Sequence, residues 1–385
     1  MPDVSWESAR RIAREAAGPL PAERTPLAEA VERVLAEPAL ALVDLPGFDT
    51  SAMDGWAICG AGPWQIIGAV LAGAAPSSPL APGEAVTIAT GAAVPPGATS
   101  VVRSEDGTVI DGVLQSVTAT AGDHIRPRGE ECRVGETLAA AGTVVTPAVA
   151  GLLAAAGLDH VSVRAVPRAA LLLLGDELLD SGLPGVGQVR DSLGPQLPGW
   201  LRRLGATVDV VVRVADTVAD LVTALRSARA SGVDLILTTG GTAAGPVDCL
   251  HAALAELGGR LLVDSVAVRP GHPMVLADLA GVPLVGLPGN PQSAVVSLVS
   301  LGAPVVRSML GQPEPPLAEV ALAADLKAPN HENRLVLGTV SGGRFTAASH
   351  LGSAMLRGLS VSEGFAVLPP TGAAAGAVVG WLPLP

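Results

Sequence analysis

Four short segments combine glycine, proline and carboxylate side chains in a way that suits an anion. They are Gly175-Asp176-Glu177, Thr239-Gly240-Gly241-Thr242, Arg269-Pro270-Gly271-His272-Pro273 and Leu287-Pro288-Gly289-Asn290-Pro291. A helix start offers unpaired backbone N–H groups and a positive dipole end. Glycine lets backbone come close to a phosphate. Asn290 with Pro291 reads as an N-cap followed by the first helical position. Gly240-Gly241 leads through Gly245 to a helix opened by Pro246, with Asp248 in its first turn. Taken singly, each segment is an ordinary turn. Four at one edge of one sheet favour an anionic ligand.

Carboxylates complicate that reading. Asp176, Glu177, Asp191 and Asp248 fall on the same edge and would repel a phosphate. A Mg²⁺ ion between carboxylates and phosphate resolves the conflict. Asp191 and Asp248, each alone, read as helix-start acids favoured by the dipole. Glu177 follows an apolar strand in a Gly-Asp-Glu turn and reads as functional. A separate polar loop with two acids, Asp49 and Asp54, precedes a strand near Trp56; alone, it is a turn.

The elements that must hold these segments alternate from Arg168 onward. Apolar strands are expected over 169–174, 207–214, 233–239, 274–277 and 283–287. Helices are expected up to Leu204, over 217–230 behind an Asp216 cap, over 246–257 and over 291–310. Such alternation means βαβ units, a mostly parallel sheet and helices on both faces. Ligands of such sheets sit at the carboxyl ends of the strands. Pro198 should break or delay the helix that follows Asp191.

Upstream, a helix is expected over 5–17 and a second behind Thr25-Pro26, with Leu27, Val31, Val34 and Leu35 as its apolar stripe. Short β runs at 64–71, 85–89, 100–103 and 108–117 form a β-rich module. Thr146-Pro147 opens another helix, closed by Gly157. Gln312–Pro316 reads as a linker, and the residues beyond it as a small all-β domain. The expected organisation is a helical linker domain from 1–41 with 141–166, an inserted β-rich domain at 42–140, an α/β domain at 167–311 and a C-terminal β domain at 312–385.

Composition narrows the function further. The 385 residues carry 24 basic and 36 acidic side chains, a net charge of −12. Such a surface is a poor partner for nucleic acid. Lys327 is the single lysine, and with no Tyr, five Trp and three Phe the core must be aliphatic. Cys59, Cys132 and Cys249 are far apart with no CxxC pair, which predicts a reduced, cytoplasmic setting and no cysteine zinc site. The start of the chain predicts no secretory leader. The uncharged stretches 60–83, 137–158 and 365–385 are broken by Pro and Gly, so no membrane span is expected.

Six collinear segments resemble the molybdopterin molybdenumtransferases (MoeA-type, and the C-terminal part of gephyrin). Ser51-Ala52-Met53-Asp54-Gly55 resembles the family's Ser-Ala-Met-Asp-Gly signature. Thr90-Gly91 with the Pro95-Pro96-Gly97 beyond it, and Arg126-Pro127-Arg128-Gly129-Glu130-Glu131, resemble two further motifs. Gly175–Leu178, Gly240–Thr242 with Asp248, and Leu287–Pro291 match in order and spacing. The resemblance implies an elongated four-domain homodimer that inserts molybdate, with Mg²⁺, into the dithiolene of adenylylated molybdopterin and releases AMP. It implies catalytic roles for Asp54, Thr90, Glu131, Glu177 and Asp248, and metal binding by Asp176, Glu177 and Asp248. Substrate would be held by Asp191, Gly240, Gly241, Thr242, Arg269, His272, Pro288, Gly289, Asn290, Pro291, Ser293 and Arg334. In the family the site lies between the α/β domain of one subunit and the β module of the other. A molybdopterin adenylyltransferase would be a natural partner enzyme.

Several positions depart from the family pattern. Lys-Pro-Gly-Lys-Pro is here Arg269-Pro270-Gly271-His272-Pro273. Ala243 stands where Ser is usual, Leu193 where Asn is usual, and only Arg334 survives of a basic C-terminal motif. These losses motivate a second reading, a low-activity paralogue that binds molybdopterin or nucleotide and acts as a carrier or partner-binding protein. If His272 faces molybdate, only its imidazolium attracts the oxyanion, so affinity should improve as pH falls toward about 6.

Overall fold

The computed structural model describes residues 3–76, 78–116, 119–242, 249–329 and 331–385. Its centre is a six-stranded sheet: β1 (Arg168–Leu174), β2 (Thr207–Val214), β3 (Leu235–Thr239), β4 (Arg260–Val263), β5 (Val275–Leu279) and β6 (Val282–Leu287). The order is β2-β1-β3-β6-β5-β4. β2, β1, β3 and β6 are parallel, while β5 runs antiparallel to β6. The inner strands β1, β3 and β6 read as near-continuous apolar runs because both faces are covered, whereas the edge strand β2 carries Asp209 and Arg213 and is largely exposed. Ala169, Leu171 and Leu173 join Leu197, Leu201 and the helical residues Val295 and Leu298 in one core. Ala170, Leu172 and Leu174 point the other way, toward Leu221, Leu225 and Leu250.

Local expectations were met unevenly. The helix Leu193–Arg203 runs through Pro198. Proline removes one backbone bond there, but Leu193, Leu197 and Leu201 bury a full stripe on the sheet, and that burial outweighs it. The helix Val218–Ala230 is capped by Thr217, whose hydroxyl accepts from the Asp220 N–H, and not by Asp216. The helical run from Pro291 to Met309 widens into a π-turn at Leu298–Gly302. Pro304, just beyond it, cannot donate back to Ser300.

The helix expected behind Thr25-Pro26 does not form. Ala22–Pro26 is a strand paired with His160–Arg164, followed by a single 3₁₀ turn, Leu27–Glu29. Glu32 takes a left-handed φ of 67°. Val34 and Leu35 bridge to Val144 and Val163. Leu35 shares a core with Leu153 and Val163, while Val34 joins the core of the α/β region, so tertiary pairing overrides local preference. The helix Trp6–Glu15 packs on the α/β core through Trp6, Ala9 and Ala13.

The β-rich module holds a six-stranded sheet that includes Gly55–Ile58, Trp64–Val70 and Glu84–Ile88. The run expected at 108–117 is a hairpin, Gly107–Ile110 with Val113–Ser116, turning at Asp111-Gly112 with two positive φ angles. The C-terminal region is a closed five-stranded barrel, because Asn333–Ser341 pairs with both Arg344–Ala347 and Gly364–Leu368. A sixth strand, Val268–Arg269, adds to that barrel from the α/β region, with Arg269 beside Arg334. Among the described residues no helix is long and apolar enough to cross a membrane.

Candidate functional site

At the carboxyl edge of the sheet the loops after β1, β2, β3 and β6 surround a cavity of about 660 Å³. Its walls include Gly175, Glu177, Asp191, Asp216, Gly240, Gly241, Gly289, Asn290 and Pro291, with Ala354 and Leu356 from the C-terminal region. Seven of these residues were expected from the motifs alone. β1 has β2 on one side and β3 on the other, so its end is a switch point where loops part and leave a crevice.

Each wall has a local cause. Gly175 adopts φ +136°, and a Cβ there would lie 3.0 Å from both carboxylate oxygens of Glu177. Glycine therefore lets the turn bend and the Glu177 carboxylate fold back over it. Asp191 Oδ1 accepts the Leu193 N–H at 2.9 Å and the Gly194 N–H at 3.0 Å, opening the helix Leu193–Arg203. Arg213, at the end of β2, donates to the Leu178 carbonyl and pairs with Asp180, and sits 3.9 Å from Asp191 Oδ2. It ties the 178–191 loop to the sheet edge. Asp176 is exposed and lies outside the cavity lining; it and Asp216 each accept the other's backbone N–H, at 3.3 and 3.4 Å.

A second cavity of about 390 Å³ adjoins the first, sharing Asn290. It is lined by Arg269, Pro270, Gly271, Pro273, Pro288, Ser293, Arg334, Leu351 and Ser353. Its charge is opposite. Arg269 donates to Glu332 Oε2 at 2.8 Å, and Arg334 to the Lys327 carbonyl at 2.6 Å. The strand pairing that sets Arg269 beside Arg334 builds this wall. One pocket thus presents three carboxylates against a single guanidinium, Arg190, and the next presents guanidinium groups, with one asparagine between them.

His272 does not line the cationic cavity. Its Nε2 lies 3.0 Å from Asp3 Oδ2 and 4.0 Å from Glu332 Oε1. In the structure the imidazole of His272, expected to face an oxyanion, faces two carboxylates instead. Thr242 is buried, its methyl group close to Gly286, and lines neither cavity. Asp248 and Ala243 lie outside the described residues.

Asp54, Thr90 and Glu131 form a third group, on the β-rich module, and line neither cavity of the chain. Asp54 Oδ1 accepts the Thr90 N–H at 2.7 Å and the Thr90 hydroxyl at 3.0 Å. The backbone N–H above all, then the hydroxyl, hold the Asp54 carboxyl below its ordinary value. Thr50–Ser51 pairs with Ile125–Arg126, and the Gly91 N–H donates to the Ser51 carbonyl, so the three motif loops are one knot. Gly55 completes it: a Cβ would sit 2.0 Å from the Val102 carbonyl oxygen.

Sequence reading missed Asp216, Arg213 and the 351–356 wall. Asp216 had a signal, its place at the end of β2, but was read as a helix cap. The 351–356 segment had no strand or motif signal; the barrel carries it to the site.

Residues 4–157 match the MoeA N-terminal region (domain I and II), 170–308 a probable molybdopterin binding domain, and 319–384 the MoeA C-terminal region (domain IV). A molybdopterin molybdenumtransferase 2 of Mycobacterium tuberculosis is 38% identical over 324 residues, spanning 79% of this chain and 80% of that one. The molybdopterin molybdenumtransferase of Synechococcus elongatus is 32% identical over 380 residues, 93% of each chain. A solved molybdopterin biosynthesis MoeA protein of Pyrococcus horikoshii shares the fold, with a TM-score of 0.86 at 22% identity over the full length of both chains. On the three successive domain matches and the extent of these alignments, the chain belongs to the molybdopterin molybdenumtransferase family.

Proposed function

We propose that this protein is a molybdopterin molybdenumtransferase of molybdenum cofactor biosynthesis, inserting molybdate into adenylylated molybdopterin with release of AMP. One observation carries the reading: two adjoining cavities of opposite charge share Asn290. The cationic one suits a compact oxyanion, with Arg269 and Arg334 as donors and Ser293 as a polar wall. The carboxylate one suits a phosphate only if a hard cation lies between.

The donor set there fits Mg²⁺. Glu177 and Asp216 line the cavity as carboxylates, beside Asp191 and one guanidinium, Arg190, and no imidazole or thiolate lines it. Glu177 and Asp216 would hold the ion, and Asp248 is the further expected ligand. When bound, Mg²⁺ neutralises phosphate charge and polarises the phosphoryl group. The chain's own residues do the rest. Gly240 and Gly241 leave room for close backbone approach, and the helix start at Asn290-Pro291 directs N–H groups at the anion. Asp54, Thr90 and Glu131 would act on the site of a second copy, in a homodimer whose two β-rich modules reach across. The adenylylated substrate would come from a molybdopterin adenylyltransferase.

The test incubates purified protein with adenylylated molybdopterin, Mg²⁺ and molybdate and follows AMP. Glu177→Gln should lower Mg²⁺-dependent AMP release at least tenfold while pterin binding changes little, because the amide keeps shape and loses charge. Equal loss of both would make Glu177 structural. A carrier role is the second reading, favoured by one observation: His272 pairs with Asp3, leaving two arginines to hold the oxyanion. Tight pterin binding without AMP release would select it.

A further inference from the structure

We propose that Asp3, His272 and Glu332 form a binding site for a divalent transition metal, with Zn²⁺ as its best occupant. One oxygen or nitrogen from each residue converges, and the three atoms lie within 4.8 Å of one another. Asp3 Oδ2 is 3.0 Å and Glu332 Oε1 4.0 Å from His272 Nε2. Ligand atoms around a tetrahedral Zn²⁺ stand about 3.4 Å apart, given bonds near 2.0–2.2 Å. The two separations from His272 Nε2 fall on either side of that value, and all three atoms lie within 4.8 Å, so binding requires the side chains to close in by up to about an ångström.

The surroundings resemble a built site more than a chance ion pair. Each carboxylate has one oxygen held by a neighbour and the other aimed at the imidazole. Ser265 Oγ donates to Asp3 Oδ1 at 2.6 Å, which leaves Oδ2 facing His272. Arg269 Nε donates to Glu332 Oε2 at 2.8 Å, which leaves Oε1 free. Outer hydrogen bonds of this kind orient ligands and tune the metal. Arg269 also brings a positive charge, but it is matched by Glu332, and Asp3 with Glu332 still leaves a net negative corner for the cation. Glu332 and His272 are half-buried, with side chains 16% and 27% exposed, so the corner is partly shielded from solvent.

The donor set selects the metal class. One imidazole nitrogen with two carboxylate oxygens suits Zn²⁺, Ni²⁺ or Cu²⁺, whereas Mg²⁺ prefers oxygen alone. Three protein ligands leave a fourth position for water. The ligands come from three distant segments: the stretch before the helix Trp6–Glu15, the loop after Val268–Arg269, and the approach to the barrel strand Asn333–Ser341. A bound ion would therefore staple the start of the chain and the barrel to the α/β region. The site is separate from the carboxylate cavity at Glu177 and does not depend on the proposed reaction.

The test strips the full-length protein with a chelator and titrates Zn²⁺ against a chromophoric competitor. The parent should bind one equivalent that Mg²⁺ does not displace, and Zn²⁺ should raise its thermal midpoint. Asp3→Asn, His272→Gln and Glu332→Gln should each weaken that equivalent more than tenfold and abolish the thermal gain. Ser265→Ala keeps all three ligands and should weaken binding by about tenfold. Co²⁺ should give visible ligand-field bands in the parent that vanish in His272→Gln, a readout independent of fold stability. Metal-free circular dichroism of each variant separates ligand loss from misfolding. Glu177→Gln should keep the Zn²⁺ equivalent. The proposal is overturned if the parent binds no such equivalent, if the three ligand variants bind as the parent does, or if Glu177→Gln alone removes it.

Discussion

Asp191 lines the carboxylate cavity, yet one of its oxygens is already committed. Oδ1 accepts the N–H groups of Leu193 and Gly194, and the side chain is only 8% exposed. Asp191→Ala removes both bonds and leaves two amide protons at the helix start unsatisfied. A lost helix cap costs about 0.5–2 kcal/mol, and poor solvent access puts this one near the upper end, about 2 kcal/mol. Asp191→Asn keeps an oxygen in place for the two N–H groups and loses only charge. Arg213 is 3.9 Å away and retains Asp180, so the charge loss should cost less than about 1 kcal/mol. Hydrogen exchange read by mass spectrometry on the peptide over 191–200 measures this locally. A 2 kcal/mol loss speeds exchange roughly thirtyfold in Asp191→Ala, and the Asn variant should stay within about fivefold of the parent. Unchanged exchange in the Ala variant would refute the capping role. Equal acceleration in both variants would show that charge, and not the acceptor oxygen, does the holding.

Other outcomes rest on the same geometry. Gly55→Ala would place a methyl 2.0 Å from the Val102 carbonyl oxygen at φ +154°, and should lower unfolding free energy by more than about 2 kcal/mol in urea titrations. Gly68→Ala, with open space at its Cβ, should change it by less than about 0.5 kcal/mol; similar losses in both would dismiss the clash argument. In a carbon-detected NMR titration Asp54 should ionise below its ordinary value of 3.8. Thr90→Val should raise that value only part of the way, because the Thr90 N–H remains. The depressed value means that the Asp54 contribution is present above the ordinary carboxylate range and lost as pH falls through the folded value. A Thr90→Val protein should therefore lose less stability on acidification. Arg334→Gln should weaken molybdate binding by roughly tenfold or more. Arg269→Gln should weaken it less, since Arg269 already shares its charge with Glu332; calorimetric titration that ranks them the other way would contradict the assignment.

Much of the fold was legible because its signals are local. β2 was read residue for residue, and the apolar alternation from Arg168 onward required a parallel sheet with two helical layers. Seven wall residues of the carboxylate cavity were named from turn chemistry alone, since the loops at the ends of parallel strands must lie together. The errors were places where local preference met a stronger distant partner. Thr25-Pro26 looks like a helix start, but the ladder with His160–Arg164 claims it. Pro198 looks like a helix stop, but the buried Leu193, Leu197 and Leu201 hold the helix together.

The sequence by itself determined the layered architecture, the glycine-bounded turns and the chemistry of the carboxylate edge, because periodicity and turn residues act over a few positions. Only the tertiary structure decided which charges meet. Arg269 and Arg334 share a wall because a short strand leaves the α/β region to join the barrel. His272 turns from the expected oxyanion to Asp3 and Glu332, residues 269 and 60 positions away along the chain. Ala354 and Leu356 close a cavity whose motifs lie far upstream of them. Such pairings depend on how separate domains pack, and side-chain electrostatics acts through space at a few ångströms regardless of distance along the chain.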